Sequence, residues 1–267
     1  MFSRADLQRA FQLNPARKAA VHELTTPPVV VVDDVYLRPL EVCQLASIFD
    51  YGLDLGFTEH KLYPGERSRL SVRIDDVEDA ILDHYFTGVG DAKEPTRCSR
   101  QEQSVIFTKM NDVSIPLAEP RQRVPHIDSD CELVAVVYLG QSSAAQSSST
   151  AFYSHRKTGL SFLPRCPPLS LVNLAFEDGY DILTADGYRR FVKSLMFSGG
   201  GGHDIAREYT GLPYDSDEWK ILLEVTGIFN RCAIFPARHF HSPVYRSTSL
   251  KGQTGERITQ NFFFSIR

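Results

Sequence analysis

Cysteine is scarce in this sequence and is never closely paired. The five cysteines stand singly, with no C-x-x-C spacing, so the sequence indicates neither a disulfide framework nor a thiolate zinc site. Long apolar runs are missing, and the charged, amphipathic first ten residues have no apolar core of the signal-peptide kind. No membrane span is predicted, and we expect a protein of the reducing cytoplasm.

An excess of charge of either sign is also absent. The formal net charge is -4, which gives no global attraction to nucleic acid or to anionic lipid. We therefore expect a small-molecule substrate, no nucleic acid and no membrane partner, while a monomer and a homodimer both stay open. The apolar content of 42% is ordinary for a globular chain, and its length favours a single domain over residues 1–267.

Helical spacing dominates early in the chain, and strand patterning dominates later. Helices are predicted over residues 4–13, 39–49, 75–86 and 184–196. β-Branched and apolar runs predict strands over residues 29–34, 104–110, 132–140, 150–159, 219–225, 230–235 and 257–266. This order indicates a mostly β fold with flanking helices, an antiparallel barrel or jelly roll with the helices packed on one face. In that fold residues 1–100 would buttress a core over residues 101–267.

Residues with metal-ligand chemistry occur in two distant segments. His126 and Asp128 are two residues apart, so an extended backbone places both side chains on one face. His239 and His241 share that spacing, and periodicity does not choose between them. Two histidines and one carboxylate around a metal with open positions form the facial triad of non-haem Fe(II) oxygenases. His155 has no partner at metal spacing, so we expect it to have a surface or hydrogen-bonding role.

The last predicted strand carries an arginine on the face that would line the interior. Alternation places Arg257, Thr259 and Asn261 on this face and the apolar residues on the other, under the helices. A buried arginine without an anion is costly. The remote carboxylate of 2-oxoglutarate would pair with Arg257, and the hydroxyl of Thr259 could bind the same group. The alternative is a salt bridge from Arg257 to a protein carboxylate.

Three more arginines stand close together before the predicted helix at 75–86. Arg67, Arg69 and Arg73 form either a solvated face or a site for an anionic group of the substrate. The second interpretation rests on the match between a guanidinium fork and a carboxylate.

Four consecutive glycines lie within residues 198–203. Such a run can form neither a stable helix nor a packed strand. Because it falls between the two metal-ligand segments, it is either a lid over the site or a plain surface loop.

Taken together, these motifs resemble the Fe(II)/2-oxoglutarate-dependent dioxygenases. The similarity covers about residues 104–266 and rests on Pro125-His-Ile-Asp128, Val-Tyr138-Leu-Gly, Thr150-Ala-Phe-Tyr, Asn230-Arg-Cys-Ala-Ile-Phe-Pro, His241-Ser and Arg257-x-Thr259. It implies a double-stranded β-helix with iron held by His126, Asp128 and His241. It also implies that Arg257, with Thr259 and Tyr138 beside it, binds the co-substrate. Ser148-Ser149 stands where similar proteins often carry Gly-Gly.

The resemblance implies a reaction as well as a fold. With Fe(II) and O2, 2-oxoglutarate would be decarboxylated to succinate and CO2 while a C–H bond of a small polar, amino-acid-like metabolite is oxidised. The carboxylate of Asp128 favours hydroxylation, desaturation or oxidative cyclisation, because halogenating relatives lack it. Two alternatives stay open: a cupin-type metal-dependent isomerase or hydrolase that uses no keto acid, and a non-catalytic relative with a vestigial site.

Overall fold

Two antiparallel β-sheets form the centre of the molecule. The computed structural model describes residues 3–23, 25–52, 65–68, 74–90, 98–110, 124–128, 131–140, 148–197, 216–245 and 257–266. The larger sheet has the spatial order β1 (Lys18–His22), β2 (Val29–Asp33), β9 (Cys232–Pro236), β6 (Leu133–Tyr138), β11 (Arg257–Ile266), β5 (Cys98–Met110), β4 (Glu66–Ser68) and β3 (Tyr51–Gly52). The smaller sheet has the order β10 (His241–Tyr245), β7 (Ser148–His155) and β8 (Trp219–Thr226).

Apolar side chains from both sheets meet in one core. Val136 and Phe235 of the larger sheet share a buried cluster with Phe152 and Val225 of the smaller sheet. The rings of Phe152 and Phe235 lie 4.9 Å apart in an edge-to-face contact. Since burying one such side chain stabilises the fold by about 1.5–3 kcal/mol, this core holds the inner faces of the two sheets together.

Within the described residues, five helices cover the outer faces of the sheets. α1 (Arg4–Ala10), α2 (Pro39–Ile48) and α3 (Asp75–Gly88) pack on the larger sheet, and α4 (Leu169–Glu177) and α5 (Ala185–Phe197) pack on the smaller one. The predicted mostly β architecture with flanking helices is confirmed. The prediction that all helices pack on one face is wrong, because α4 and α5 pack on the smaller sheet whereas the other three helices pack on the larger one. No described helix is long and apolar enough to cross a bilayer.

Local sequence rules explain where several elements begin. Ser3 and Asp6 form a capping box at the start of α1, and Pro39 occupies the first turn of α2, where its missing N–H costs nothing. Acidic residues in the first turn of α3 complement the helix dipole. The valine run of β2 is buried on both faces, as expected for β-branched residues in a central strand.

Asn230 joins the turn before β9 to the chain that follows β2. Its backbone φ is 66°, a left-handed conformation that asparagine tolerates better than most residues. Its side-chain amide accepts a hydrogen bond from the backbone N–H of Tyr36 and donates one to the Tyr36 carbonyl, each 2.9 Å long. The next residue, Arg231, pairs with Asp33 at 2.6 Å. These contacts fix the strand that leads to His241.

We expect Asn230→Ala to lower the free energy of unfolding by about 2–4 kcal/mol, because two buried backbone groups of Tyr36 lose their partners and alanine is strained at positive φ. Asn230→Gly removes the same two hydrogen bonds but tolerates the positive φ, so its loss should be smaller. Urea unfolding followed by circular dichroism measures both. An alanine variant as stable as the wild type would contradict this role.

Candidate metal centre

Two backbone hydrogen bonds join the segments that carry the predicted metal ligands. The N–H of His126 donates to the carbonyl of His241, and the N–H of His241 donates to the carbonyl of His126, each at 2.9 Å. The N–H of Asp128 donates to the carbonyl of Ala237, also at 2.9 Å. This short bridge fixes the loop before β6 against the start of β10, far later in the chain.

The three predicted ligands are brought together by this bridge. One ligand atom from each of His126, Asp128 and His241 lies within 4.8 Å of the other two, and Nε2 of His241 is 3.5 Å from Oδ2 of Asp128. A metal ion with bonds of about 2.0–2.2 Å would separate neighbouring ligand atoms by about 3 Å. Small side-chain rotations therefore suffice for the group to hold one metal ion.

Hydrogen bonds determine which ring nitrogen each histidine presents to the cavity. Nδ1 of His241 is 2.9 Å from the carbonyl oxygen of His239, and Nδ1 of His126 is 3.3 Å from that of Val124. A carbonyl oxygen can only accept, so each Nδ1 carries a proton and Nε2 is the ring nitrogen left for a metal ion. A backbone carbonyl on the second ring nitrogen is a common support for a metal-binding histidine.

The protonation states also suit a cation. Burial, with a smaller contribution from His241, lowers the pKa of His126 to about 4, so this imidazole is neutral at pH 7. Burial acts to raise the pKa of Asp128, but the hydrogen bond and charge of His241, with His126 and Arg67, lower it below the usual value. Asp128 is therefore ionised at pH 7. A neutral imidazole at His126 and an ionised carboxylate at Asp128 suit a bound metal ion.

The hydrogen bonds of His239 exclude it as a ligand. Its side chain is fully buried, with Nδ1 at 3.2 Å from the carbonyl oxygen of Ser161 and Nε2 at 2.7 Å from that of Pro27. Both ring nitrogens therefore face acceptors, and neither offers a lone pair to the cavity. The choice that spacing leaves open thus falls on His241.

A cavity that is open to solvent adjoins the three ligands. Its charged lining residues among those described are Arg67, Asp128 and Arg257. The remaining lining is His126, His241, Thr108, Thr150, Asn261, Ile106, Val134, Val136, Phe235, Pro243 and Phe263. Both arginines that the sequence singled out and the structure describes therefore share one cavity with the candidate metal ligands.

Arg257 is buried beside the cavity, and no carboxylate of the described residues pairs with it. Its side chain is only 4% exposed. Nη1 lies 3.8 Å from Sδ of Met110, the guanidinium lies 5.7 Å from the ring centre of Tyr138, and Nε has no hydrogen-bond partner. The alternative of a salt bridge from Arg257 to a protein carboxylate is not observed among the described residues. Because a buried charge is costly unless it is paired, this position of Arg257 favours binding of a ligand that carries an anionic group.

Thr259 and Tyr138 lie behind the cavity lining. Thr259 is fully buried, with its hydroxyl 2.5 Å from that of Thr108, and the Tyr138 hydroxyl donates to Thr150 at 2.7 Å. Thr108 and Asn261 line the cavity themselves, and the amide of Asn261 donates to the Thr108 hydroxyl at 3.1 Å. Sequence reasoning gave Thr108 no role, although the period-two alternation of β5 could have placed it on the inner face.

Part of the predicted site lies outside the described residues. Arg69, Arg73 and the glycine-rich segment 198–203 fall there, so their proposed roles stay predictions. His155 is described, and its Nδ1 lies 3.0 Å from the hydroxyl of Thr158. This contact is the hydrogen-bonding role expected for that histidine.

Comparison with known protein families adds one assignment. A family model described as a family of unknown function, DUF6445, matches residues 15–166, which is just over half of the chain. The chain belongs to the DUF6445 family. No curated protein matches the chain. The DUF6445 match includes His126 and Asp128 and ends before His241 and Arg257, so membership alone gives the site no function.

Proposed function

We propose that this protein is an Fe(II)/2-oxoglutarate-dependent oxygenase that oxidises a C–H bond of a small polar metabolite. Fe(II), 2-oxoglutarate and O2 would together supply the oxidation, with release of succinate and CO2. The observation that carries the proposal is that two histidines, a carboxylate and a buried arginine all line one cavity, and that no carboxylate of the described residues pairs with the arginine. A cupin-type isomerase or hydrolase would use the first three residues but would have no use for the arginine.

We also infer that the two sheets form a double-stranded β-helix. The antiparallel order of both sheets and their shared apolar core support this inference. A further support is the origin of the ligands. His126 and Asp128 precede β6 of the larger sheet, whereas His241 begins β10 of the smaller sheet, so the candidate metal centre lies at the junction of the sheets.

Each residue of the site would have a separate task. His126 and His241 would bind the ion through Nε2, and Asp128 through its carboxylate. These ligands would occupy one side of the ion and leave the cavity side to small ligands. The guanidinium of Arg257 would receive the remote carboxylate of the keto acid through charge-assisted hydrogen bonds. The keto acid would thus be held at both ends.

Apolar side chains would keep the ligand histidine in place. The ring of Phe235 packs 4.8 Å from that of His241, and the ring of Phe152 packs 6.4 Å from it. These contacts restrict rotation of the imidazole about its side-chain bonds. They also exclude water from that side of the site, which strengthens the electrostatic interactions there.

An anaerobic titration tests the proposal. We expect addition of 2-oxoglutarate to the Fe(II)-loaded protein to produce the weak visible absorption of a keto acid bound to iron through two oxygens. Glutarate, which has the same five-carbon chain and both carboxylates but no keto group, is the matched control and should give no band. Subsequent exposure to O2 should convert 2-oxoglutarate to succinate. Absence of both the band and 2-oxoglutarate binding by calorimetry would contradict the proposed function.

A further inference from the structure

Two buried threonines lie on opposite walls of the cavity. Thr108 belongs to β5 of the larger sheet and Thr150 to β7 of the smaller one, and they are 2% and 3% exposed. Both line the cavity together with Arg257, and the proposed function gives neither threonine a task. A buried hydroxyl is costly unless it is hydrogen-bonded, so the partners of each threonine determine what it can offer a ligand.

Tyr138 orients the hydroxyl of Thr150. The Tyr138 hydroxyl lies 2.7 Å from Oγ1 of Thr150 and 3.4 Å from the carbonyl oxygen of Val225. Good hydrogen bonds between two oxygens are about 2.5–3.0 Å long, so the phenol proton goes to Thr150. Burial raises the pKa of Tyr138, and this proton is therefore present at pH 7. Because the Thr150 oxygen accepts in this contact, its own proton is left for a ligand in the cavity.

Thr259 and Asn261 orient the hydroxyl of Thr108. Oγ1 of Thr259 is 2.5 Å from Oγ1 of Thr108, and the amide of Asn261 donates to the same Thr108 oxygen at 3.1 Å. If Thr108 donated to Thr259, the acceptor for the Thr259 proton among the described residues would be Oδ1 of Asn261 at 3.4 Å. That distance is too long for a good bond. Thr259 is therefore the donor, and the proton of Thr108 is left for a ligand.

Both threonines are linked to the guanidinium of Arg257 through Tyr138. Thr108, Thr259 and Tyr138 pair in register, so they form one row across β5, β11 and β6. The guanidinium lies over the Tyr138 ring, 5.7 Å from its centre, and the hydroxyl of that ring contacts Thr150. A carboxylate has two oxygens with about four acceptor positions. A carboxylate bound to Arg257 would therefore have acceptor positions left for both hydroxyl groups.

We propose that Thr108 and Thr150 donate hydrogen bonds to the remote carboxylate of 2-oxoglutarate, while Thr259 and Tyr138 are positioning residues that do not touch it. This inference rests on the proposed function, because it takes that carboxylate to be bound by Arg257. It differs from what the resemblance to the dioxygenases implies, which is that Thr259 and Tyr138 bind the co-substrate themselves. A hydroxyl whose oxygen already accepts a hydrogen bond is a stronger donor, so the positioning residues raise affinity through the two threonines.

Calorimetry with 2-oxoglutarate on the Mn(II)-loaded full chain tests the two donors. Thr108→Val and Thr150→Val should each weaken binding about tenfold or more, the loss expected for a hydrogen bond to a charged group. Thr108→Ser and Thr150→Ser keep the hydroxyl and should bind 2-oxoglutarate nearly as tightly as the wild type. Mn(II) affinity should be unchanged in all four variants. A valine variant that loses Mn(II) binding is replaced by alanine at the same position.

Double-mutant cycles test the two positioning residues. Tyr138→Phe removes the donor to Thr150 and should weaken 2-oxoglutarate binding, whereas the same change made in Thr150→Val should have no further effect. Thr259→Val should weaken binding in the wild type and have no further effect in Thr108→Val, for the same reason. A merely structural role would weaken binding in both backgrounds.

Several results would overturn this inference. Losses of equal size in both backgrounds would place Tyr138 or Thr259 on the keto acid itself, and no loss in either single variant would remove its positioning role. Wild-type affinity in either threonine-to-valine variant, or serine variants as weak as the valine variants, would show that the hydroxyl groups do not bind the carboxylate. Failure of the wild-type Mn(II) protein to bind 2-oxoglutarate would contradict the proposed function, and this inference with it.

Discussion

Replacing His241 with alanine is expected to weaken the binding of Mn(II) or Fe(II) by at least about 100-fold. Loss of a hydrogen bond that merely supports a ligand already costs about 10- to 100-fold in metal affinity, and this substitution removes a ligand itself. The variant should also lose 2-oxoglutarate binding, since the keto acid would bind partly through the ion. Isothermal titration of the metal-free protein with Mn(II), under anaerobic conditions for Fe(II), measures the effect.

His239 provides a matched control in the same stretch of chain. Its ring nitrogens face two backbone carbonyls, so His239→Gln should keep metal affinity near the wild-type value. It should lower the free energy of unfolding by about 1–3 kcal/mol, because one buried carbonyl loses its donor. The opposite pattern, in which His239→Gln loses the metal and His241→Ala keeps it, would reverse the ligand assignment while leaving a metal site in place.

The choice between these two histidines shows where sequence reasoning ends. Both have the same parity on an extended chain, so spacing treats them alike. The difference arises from a partner in a remote part of the chain, since the carbonyl of Pro27 lies 2.7 Å from Nε2 of His239. A resemblance to the dioxygenases selected His241, and the hydrogen bonds give an independent physical reason for that selection.

Strands and helices with two chemically different faces could be predicted from the sequence. On β11 the side chains of Phe262 and Phe264 pack under the helices, whereas Arg257 and Asn261 line the cavity, as the alternation predicts. α4 was not predicted, although Leu171 and Ala175, which are buried against the smaller sheet, have the i, i+4 spacing of one helix face. Its other apolar residues include Leu169 and Phe176, which are about three-quarters exposed.

The depth of a residue within the wall was not predictable. Alternation correctly placed Thr259 on the inner face of β11, but it does not tell whether a neighbouring side chain covers it. Thr108 does so, with a hydroxyl contact at 2.5 Å. Register determines which residues are cross-strand neighbours. The register between β5 and β11 shifts near Phe262, and the local sequence does not predict this irregularity.

Removing the charge of Arg257 should weaken 2-oxoglutarate binding but stabilise the ligand-free protein. Arg257→Met should weaken 2-oxoglutarate binding about 30-fold or more, because loss of one partner of a buried charged pair costs about 2–5 kcal/mol. Metal affinity should persist, since the three ligands are untouched. Calorimetry with 2-oxoglutarate on the Mn(II)-loaded variant measures the loss, and Arg257→Lys should recover part of it.

The same substitution should stabilise the ligand-free protein. Arg257 is nearly fully buried, and without an anion its charge opposes folding, so a methionine of similar length should raise the free energy of unfolding by about 1–3 kcal/mol. Arg231 is the matched control, since it pairs with Asp33 at 2.6 Å. Arg231→Met should destabilise the protein and leave 2-oxoglutarate affinity unchanged. Urea unfolding of both variants without ligand measures these changes.

The two readouts for Arg257→Met separate the competing functions. If Arg257 binds an anionic co-substrate, the variant should lose 2-oxoglutarate binding and its ligand-free form should be more stable than the wild type. Unchanged 2-oxoglutarate binding would remove the main support for an oxygenase and favour the cupin-type isomerase or hydrolase. If Arg257→Met were less stable than the wild type, Arg257 would already pair with an anionic group of the protein in the absence of ligand. The assignment of Arg257 to an anionic co-substrate therefore depends on whether its buried charge is costly in the absence of the ligand.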